Sequence, residues 1–211
     1  MKDPPRPGAR MRDSLIFPRT VRLLRMAAVL TLAAVVFSAS APTVMAQSIL
    51  PREAALEVRK QFLADLDVLH GKFLALAEAV PAYRYAWRPA AEVRSIGEAF
   101  MHVASEYYYY TPMAYGATPS PLIPKGEESF KKFESASTKA DVRQHLTEGF
   151  AYTRKSLMAL DVAAITGTQK LFGGERTIVE TSFSMLGDLH EHLGQLIAYA
   201  RSNGIKPPWS R

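Results

Sequence analysis

Four long stretches of this chain carry apolar residues at helical spacing, and none alternates apolar with polar residues as a half-buried strand does. That restricts the fold to packed helices. In the first stretch Leu56, Leu63, Leu66, Leu69, Phe73, Leu76 and Val80 share one side of a helix predicted over 52–80, with Arg59 the one exception. Pro51 suits a first-turn position and Pro81 stops the helix. Ser95-Ile96-Gly97-Glu98 reads as a capping box. It predicts a second helix through Phe100, Val103 and Tyr107 to about Tyr110, ended by Pro112. A third begins near Thr138, with Asp141 three residues on, and continues through Val142, Leu146, Phe150, Leu157 and Leu160. The fourth runs from about Thr177 to Asn203 on a stripe of Val179, Phe183, Leu186, Leu189, Leu193, Leu196, Ile197 and Ala200. Asn203-Gly204 then supplies a left-handed turn, with Pro207 and Pro208 beyond it. Between helices 2 and 3, residues 111–125 contain Pro112, Pro119, Pro121 and Pro124 and read as a long loop, followed by a short helix over 127–134. Gly167, Gly173 and Gly174 mark another connection, in which Lys170–Phe172 is extended or irregular. The expected fold is all-α: a four-helix bundle with a long connection between helices 2 and 3.

The formal net charge of +6 is concentrated at one end. Lys2, Arg6, Arg10, Arg12, Arg19, Arg22 and Arg25, against Asp3 and Asp13, account for +5 of it, and residues 26–46 are uncharged. The part after Ala46 is therefore nearly neutral. It lacks the basic stripe that phosphate binding requires, so no nucleic-acid partner is expected. A basic lead, an apolar run of about a dozen residues from Met26, and Val44-Met45-Ala46 before Gln47 follow the plan of a secretory signal peptide. The run is shorter than the roughly 20 residues a membrane-spanning helix needs, and an uncleaved N-terminal membrane anchor is the rival reading. The expected organisation is a signal peptide over 1–46 and one domain over 47–211, periplasmic or secreted, with no stable membrane span after cleavage. Met11 offers a second translation start ahead of the same segment. The chain has no cysteine, which excludes disulfides, thiol nucleophiles and Cys-ligated metal.

Chemistry falls to five histidines and their acidic neighbours. On helix 4, Asp188 and His192 are four apart and share a face, roughly 40° apart around the axis. His190 and His192 stand roughly 160° apart, so one intact helix cannot bring both to one ion. Periodicity does not choose between them. Helix 2 offers His102 and Glu106, again four apart, followed by Tyr107–Tyr110. The pattern leaves His102 off the apolar face and solvated. If the two edges meet, one imidazole from helix 2 and an Asp–His pair from helix 4 give three ligands with open coordination positions. Polar pairs at this spacing are also common on solvated helix faces. His70, among Leu66, Leu69 and Phe73, reads as a core or boundary residue, His145 as solvated, and His190 as a surface or inter-helix residue, at most a partner behind a ligand. Gly187 and Gly194 allow another helix to approach closely or are merely tolerated.

Three stretches resemble the DinB-like family: Trp87-Arg88-Pro89; Arg94–Ala104, containing Gly97-Glu98-Ala99-Phe100-Met101-His102-Val103; and His190–Gly204, with His192-Leu193-Gly194-Gln195 and Tyr199-Ala200-Arg201. The resemblance implies a four-helix bundle, commonly dimeric, holding a divalent metal on three histidines. One of these comes from the second helix and two from an H-x-x-x-H pair just ahead of Gly-Gln. Carried onto this sequence, the ligands fall on His102, Asp188 and His192, with a carboxylate where the family has an imidazole. Glu106 is then a further ligand or the general base. Zinc is the first expectation for the metal, with nickel or iron as alternatives. Some members of the family are metal-dependent enzymes acting with low-molecular-weight thiols. The functions implied are thus a metal-dependent transferase or hydrolase of unknown substrate, a non-catalytic envelope module binding a metal or small molecule, or a helical dimer whose metal site is lost.

Overall fold

A computed structural model of the chain describes residues 50–122, 126–171 and 173–210; the signal-peptide expectation concerns residues outside these. The long helices are α1 (Arg52–Ala79), α2 (Ile96–Tyr115), α4 (Lys139–Ala159) and α6 (Ile178–Ser202); α3 (Glu127–Ser135) and α5 (Val162–Ile165) are short. Among the described residues no helix is long and apolar enough to cross a membrane.

Local chemistry sets the helix starts. Ser95 Oγ accepts from the Glu98 N–H at 3.2 Å while Glu98 Oε2 accepts from the Ser95 N–H at 2.7 Å. Thr138 with Asp141 and Thr177 with Glu180 repeat the device at α4 and α6. Each box satisfies two backbone donors that a helix start would otherwise leave unpaired.

The four long helices form a ring in the order α1, α4, α2, α6, each packed mainly against its two neighbours. Their buried faces meet in one core that includes Leu66, Leu69, Phe73, Phe100, Val103, Tyr107, Leu146, Leu189 and Leu196. Burying one such aliphatic or phenyl side chain contributes roughly 1.5–3 kcal/mol. The α2–α4 contact is tight at Gly149, where an added Cβ would lie 3.0 Å from Tyr107 Cβ, and the Thr111 and Thr153 hydroxyls join at 2.6 Å nearby. The ring order makes α2 and α6 neighbours, and α3 packs along α2. These two facts position the site.

Two local features depart from the sequence reading, at Pro112 and Phe183, and the 167–177 connection takes the extended form, one of the two alternatives open to it. α2 passes through Pro112 and ends only at Tyr115, where Gly116 adopts φ 61°. Thr111, Ala114 and Tyr115 are buried, and the Tyr115 hydroxyl reaches Ser182 Oγ at 3.3 Å, so packing of the last turn outweighs the one hydrogen bond that proline removes. The 167–177 connection is an antiparallel hairpin, β1 (Thr168–Leu171) with β2 (Gly174–Thr177), register Thr168↔Thr177, turning with Gly173 at φ 78°. Phe183, assigned to the apolar stripe of the last helix, is 65% exposed, while Met185 and Thr181 are buried instead.

Candidate metal centre

α2 presents His102 and Glu106 one turn apart, and α6 presents Asp188 and His192 one turn apart. Because the two helices are neighbours, the pairs face each other. His102 Nε2 lies 3.1 Å and His192 Nε2 lies 3.2 Å from the same atom, Glu106 Oε1. Asp188 Oδ1 stands 3.7 Å from His192 Nε2, at the edge of the group. All four residues picked out by spacing and resemblance thus come together. The innermost set, with donor atoms within 4.8 Å of one another, is His102, Glu106 and His192.

A third element fixes His102. Its Nδ1 lies 2.6 Å from Oε1 of Glu134, on α3. An ionised carboxylate only accepts, so Nδ1 carries the proton and Nε2 is turned toward Glu106. Glu134 is itself clamped by Arg94, whose Nε and Nη2 donate to its two oxygens at 2.8 and 3.3 Å. On the other side His192 Nδ1 is 3.4 Å from Gln195 Oε1; Gln195 Nε2 in turn donates to Tyr199 Oη at 2.9 Å, and Trp87 packs edge-on to the Tyr199 ring. Carboxylate or amide partners on the remote ring nitrogens are what hold metal-binding imidazoles in orientation.

The group is charged as well as crowded. Burial pushes Glu106 up, but hydrogen bonds from His102 and His192 outweigh it and bring the carboxyl down to about 2. For His102 burial acts downward, and hydrogen bonds to Glu106 and Glu134 overcome it, raising the imidazole to about 9. His192 is raised chiefly by its hydrogen bond to Glu106. Asp188 moves the other way: burial, then the neighbouring Glu106 charge, raise it to about 6.

Two imidazole nitrogens and a carboxylate oxygen make a donor set suited to zinc or non-haem iron. Zinc bonds of about 2.0–2.1 Å in a tetrahedral arrangement separate neighbouring ligand atoms by roughly 3.3 Å, close to the two short edges here. Glu106 Oε2 is buried without a hydrogen-bond partner, an unmet acceptor beside the two imidazoles. The residues present fit a divalent ion. A cleft of about 320 Å³, walled by Tyr109, Tyr110 and Phe130, leads from the surface to His102 and Glu106.

The remaining histidines sort themselves. His190 is exposed and donates from Nδ1 to the Leu186 carbonyl at 2.8 Å, which settles the choice that periodicity left open. His70 is buried, stacked on Phe150 at 3.8 Å between centroids. His145, expected to be solvated, is half-buried against Phe133 and Tyr108. His102 is likewise half-buried, because α3 covers the edge of α2 on which it sits. Sequence reasoning missed Glu134 and the role of Arg94. Glu134 belongs to a short helix beyond a proline-rich loop and carries no spacing signal toward His102.

The sequence profile of the DinB superfamily matches residues 53–196. The chain belongs to the DinB superfamily. Its fold is similar to the crystal structure of a DinB-like protein from Bacillus cereus ATCC 10987, with a TM-score of 0.58 over 72% of this chain and 97% of that one. At 13% identity that likeness shows the DinB fold alone. No match was found among curated proteins.

Proposed function

We propose that this DinB-superfamily protein is exported, binds a divalent metal ion, zinc foremost, and uses it in transfer or hydrolysis on a small molecule. The convergence of His102 Nε2 and His192 Nε2 on Glu106 Oε1 carries the reading. His102, His192 and Glu106 would hold the ion, and Asp188 would stand as an adjoining carboxylate. This exchanges the roles that resemblance alone implies for the two acids. The support is positional: Glu106 lies between the imidazoles, whereas Asp188 lies at the edge and faces a neighbouring cavity.

When bound, the ion would supply Lewis acidity to a substrate oxygen or sulfur. The chain's own groups do the rest. Glu134 and Arg94 keep the Nδ1 proton on His102, Tyr109 and Phe130 narrow the approach, and Asp188 is placed to accept a proton from a group entering beside His192. A metal-free polar network is the rival reading, favoured by the ion pairs that His102, Glu106, Glu134 and His192 already make. Export with cleavage after Ala46, and a homodimer, are part of the proposal; N-terminal sequencing of secreted protein and light scattering address them.

The decisive experiment is an element-resolved metal measurement on the purified protein beside His102→Ala and His192→Ala, with circular dichroism to verify folding. Near-stoichiometric metal in the parent and its loss in both variants is expected. Equally little metal in all three overturns the proposal. With metal present, silence across thiol-transfer and hydrolase substrate panels would favour a binding module.

A further inference from the structure

Beside the histidine cluster, and sharing Asp188 with it, lies a second cavity of about 200 Å³. Its apolar lining comes from three elements, with Ala114 of α2, Leu171 of β1 and Met185 of α6 all buried, and the hydroxyl-bearing Tyr110, Thr181 and Ser184 also border it. Two charged side chains line it, Arg176 and Asp188. Arg176, exposed on β2, stands just before α6 begins. Asp188 lies further along the same helix, on the face that carries Thr181 and Met185. From Thr181 to Asp188 an α-helix rises about 10 Å, and no ion pair joins Arg176 to Asp188 among the described residues. Glu180, which feels the Arg176 charge, already accepts from the Thr177 N–H and hydroxyl at 2.8 and 3.1 Å.

We propose that this cavity binds a small organic carboxylate, its anionic head on Arg176, its apolar body against Ala114, Leu171 and Met185, and its far end at Asp188 beside His192. A guanidinium matches a carboxylate through two parallel N–H bonds, which gives orientation as well as attraction. A bare inorganic anion on Arg176 would leave Ala114, Leu171 and Met185 without a partner, which favours an anion with a carbon body. The volume amounts to about seven waters at ~30 Å³ each, below the roughly 300–1,000 Å³ of drug-sized sites. That volume suits a short carbon chain. Tyr110 borders both this cavity and the cleft over His102 and Glu106, which makes the two neighbours across one ring. The inference names a substrate class for the proposed metal centre. It rests on that reading only for what the far end of the ligand meets.

Calorimetric titration of the full chain with hexanoate, hexanol and inorganic phosphate tests it, on the parent protein, Arg176→Gln and Met185→Trp, with metal content measured on each. Expected is saturable hexanoate binding, at least tenfold weaker for hexanol and phosphate. Arg176→Gln should weaken hexanoate at least tenfold with metal content unchanged, and Met185→Trp should abolish binding by filling the cavity. Hexanoate binding equal in Arg176→Gln, equal affinity for hexanol, or no saturable binding overturns the inference. Arg176-dependent hexanoate binding in protein that holds no metal would sustain it while the metal reading falls. Metal without hexanoate binding would do the reverse.

Discussion

The rings of His102 and His192, from different helices, stand 4.8 Å apart between centroids with their planes at 84°. Each turns its Nε2 toward Glu106 and its Nδ1 toward a separate acceptor, Glu134 in one case and Gln195 in the other. The orientation of both rings is therefore set from behind, before any ion arrives.

The acceptor behind His102 should matter almost as much as the ligand. Glu134→Ala is expected to lower metal affinity about 10- to 100-fold, measured by competition against a chromophoric chelator. Glu134→Gln, which keeps an acceptor oxygen but loses the charge, should fall between. Parent-like affinity in Glu134→Ala would mean that Glu134 plays no part in holding the ring.

The two carboxylates can be ranked. Glu106→Gln should remove most of the bound metal, because Glu106 Oε1 lies at 3.1 and 3.2 Å from the imidazole nitrogens. Asp188→Asn, at the edge of the group, should retain most of it. Metal analysis of the two variants side by side decides the matter, and the reverse order would return Asp188 to the ligand set.

His70 gives a pH signature remote from the site. Burial against Phe150 lowers its imidazole to about 4, partly offset by Asp67. Between pH 6.5 and 4 the unfolded chain protonates this residue and the folded chain does not, so stability falls as pH falls through that window. His70→Phe keeps the ring stack and removes the proton. Its urea-unfolding free energy should decline less steeply from pH 6.5 to 4, by up to about 1.4 kcal/mol per pH unit. Parallel curves would show that His70 titrates normally.

Two glycines on different helices should respond in opposite directions. At Gly97 an added Cβ would meet the Ser137 carbonyl oxygen at 2.5 Å, so Gly97→Ala is expected to destabilise by about 1–3 kcal/mol. At Gly194 an added Cβ would meet no described residue within 4 Å beyond its own stretch of helix, and Gly194→Ala should stabilise α6 by up to about 1 kcal/mol. Thermal melts compare them. If Gly194→Ala instead weakens self-association in light scattering, that face of α6 packs against a second copy.

Much of the architecture was legible because its determinants are local. Apolar spacing along α1, the capping boxes at Ser95 and Thr138, and the Asn203-Gly204 stop act within a few residues of themselves, so they read directly from the chain. They fixed four helices nearly to their ends, and i,i+4 spacing put His102 with Glu106 and Asp188 with His192. Packing decided the rest, because it depends on partners distant in sequence. Burial of Thr111 and Tyr115 carries α2 past Pro112, Met185 rather than Phe183 faces inward, and the hairpin delivers Leu171 and Arg176 to a cavity on α6. The site itself depends on ring order. Only with α6 beside α2 do two polar edges meet, and only α3 folding back on α2 brings Glu134 to His102 and turns a solvated position into a half-buried one.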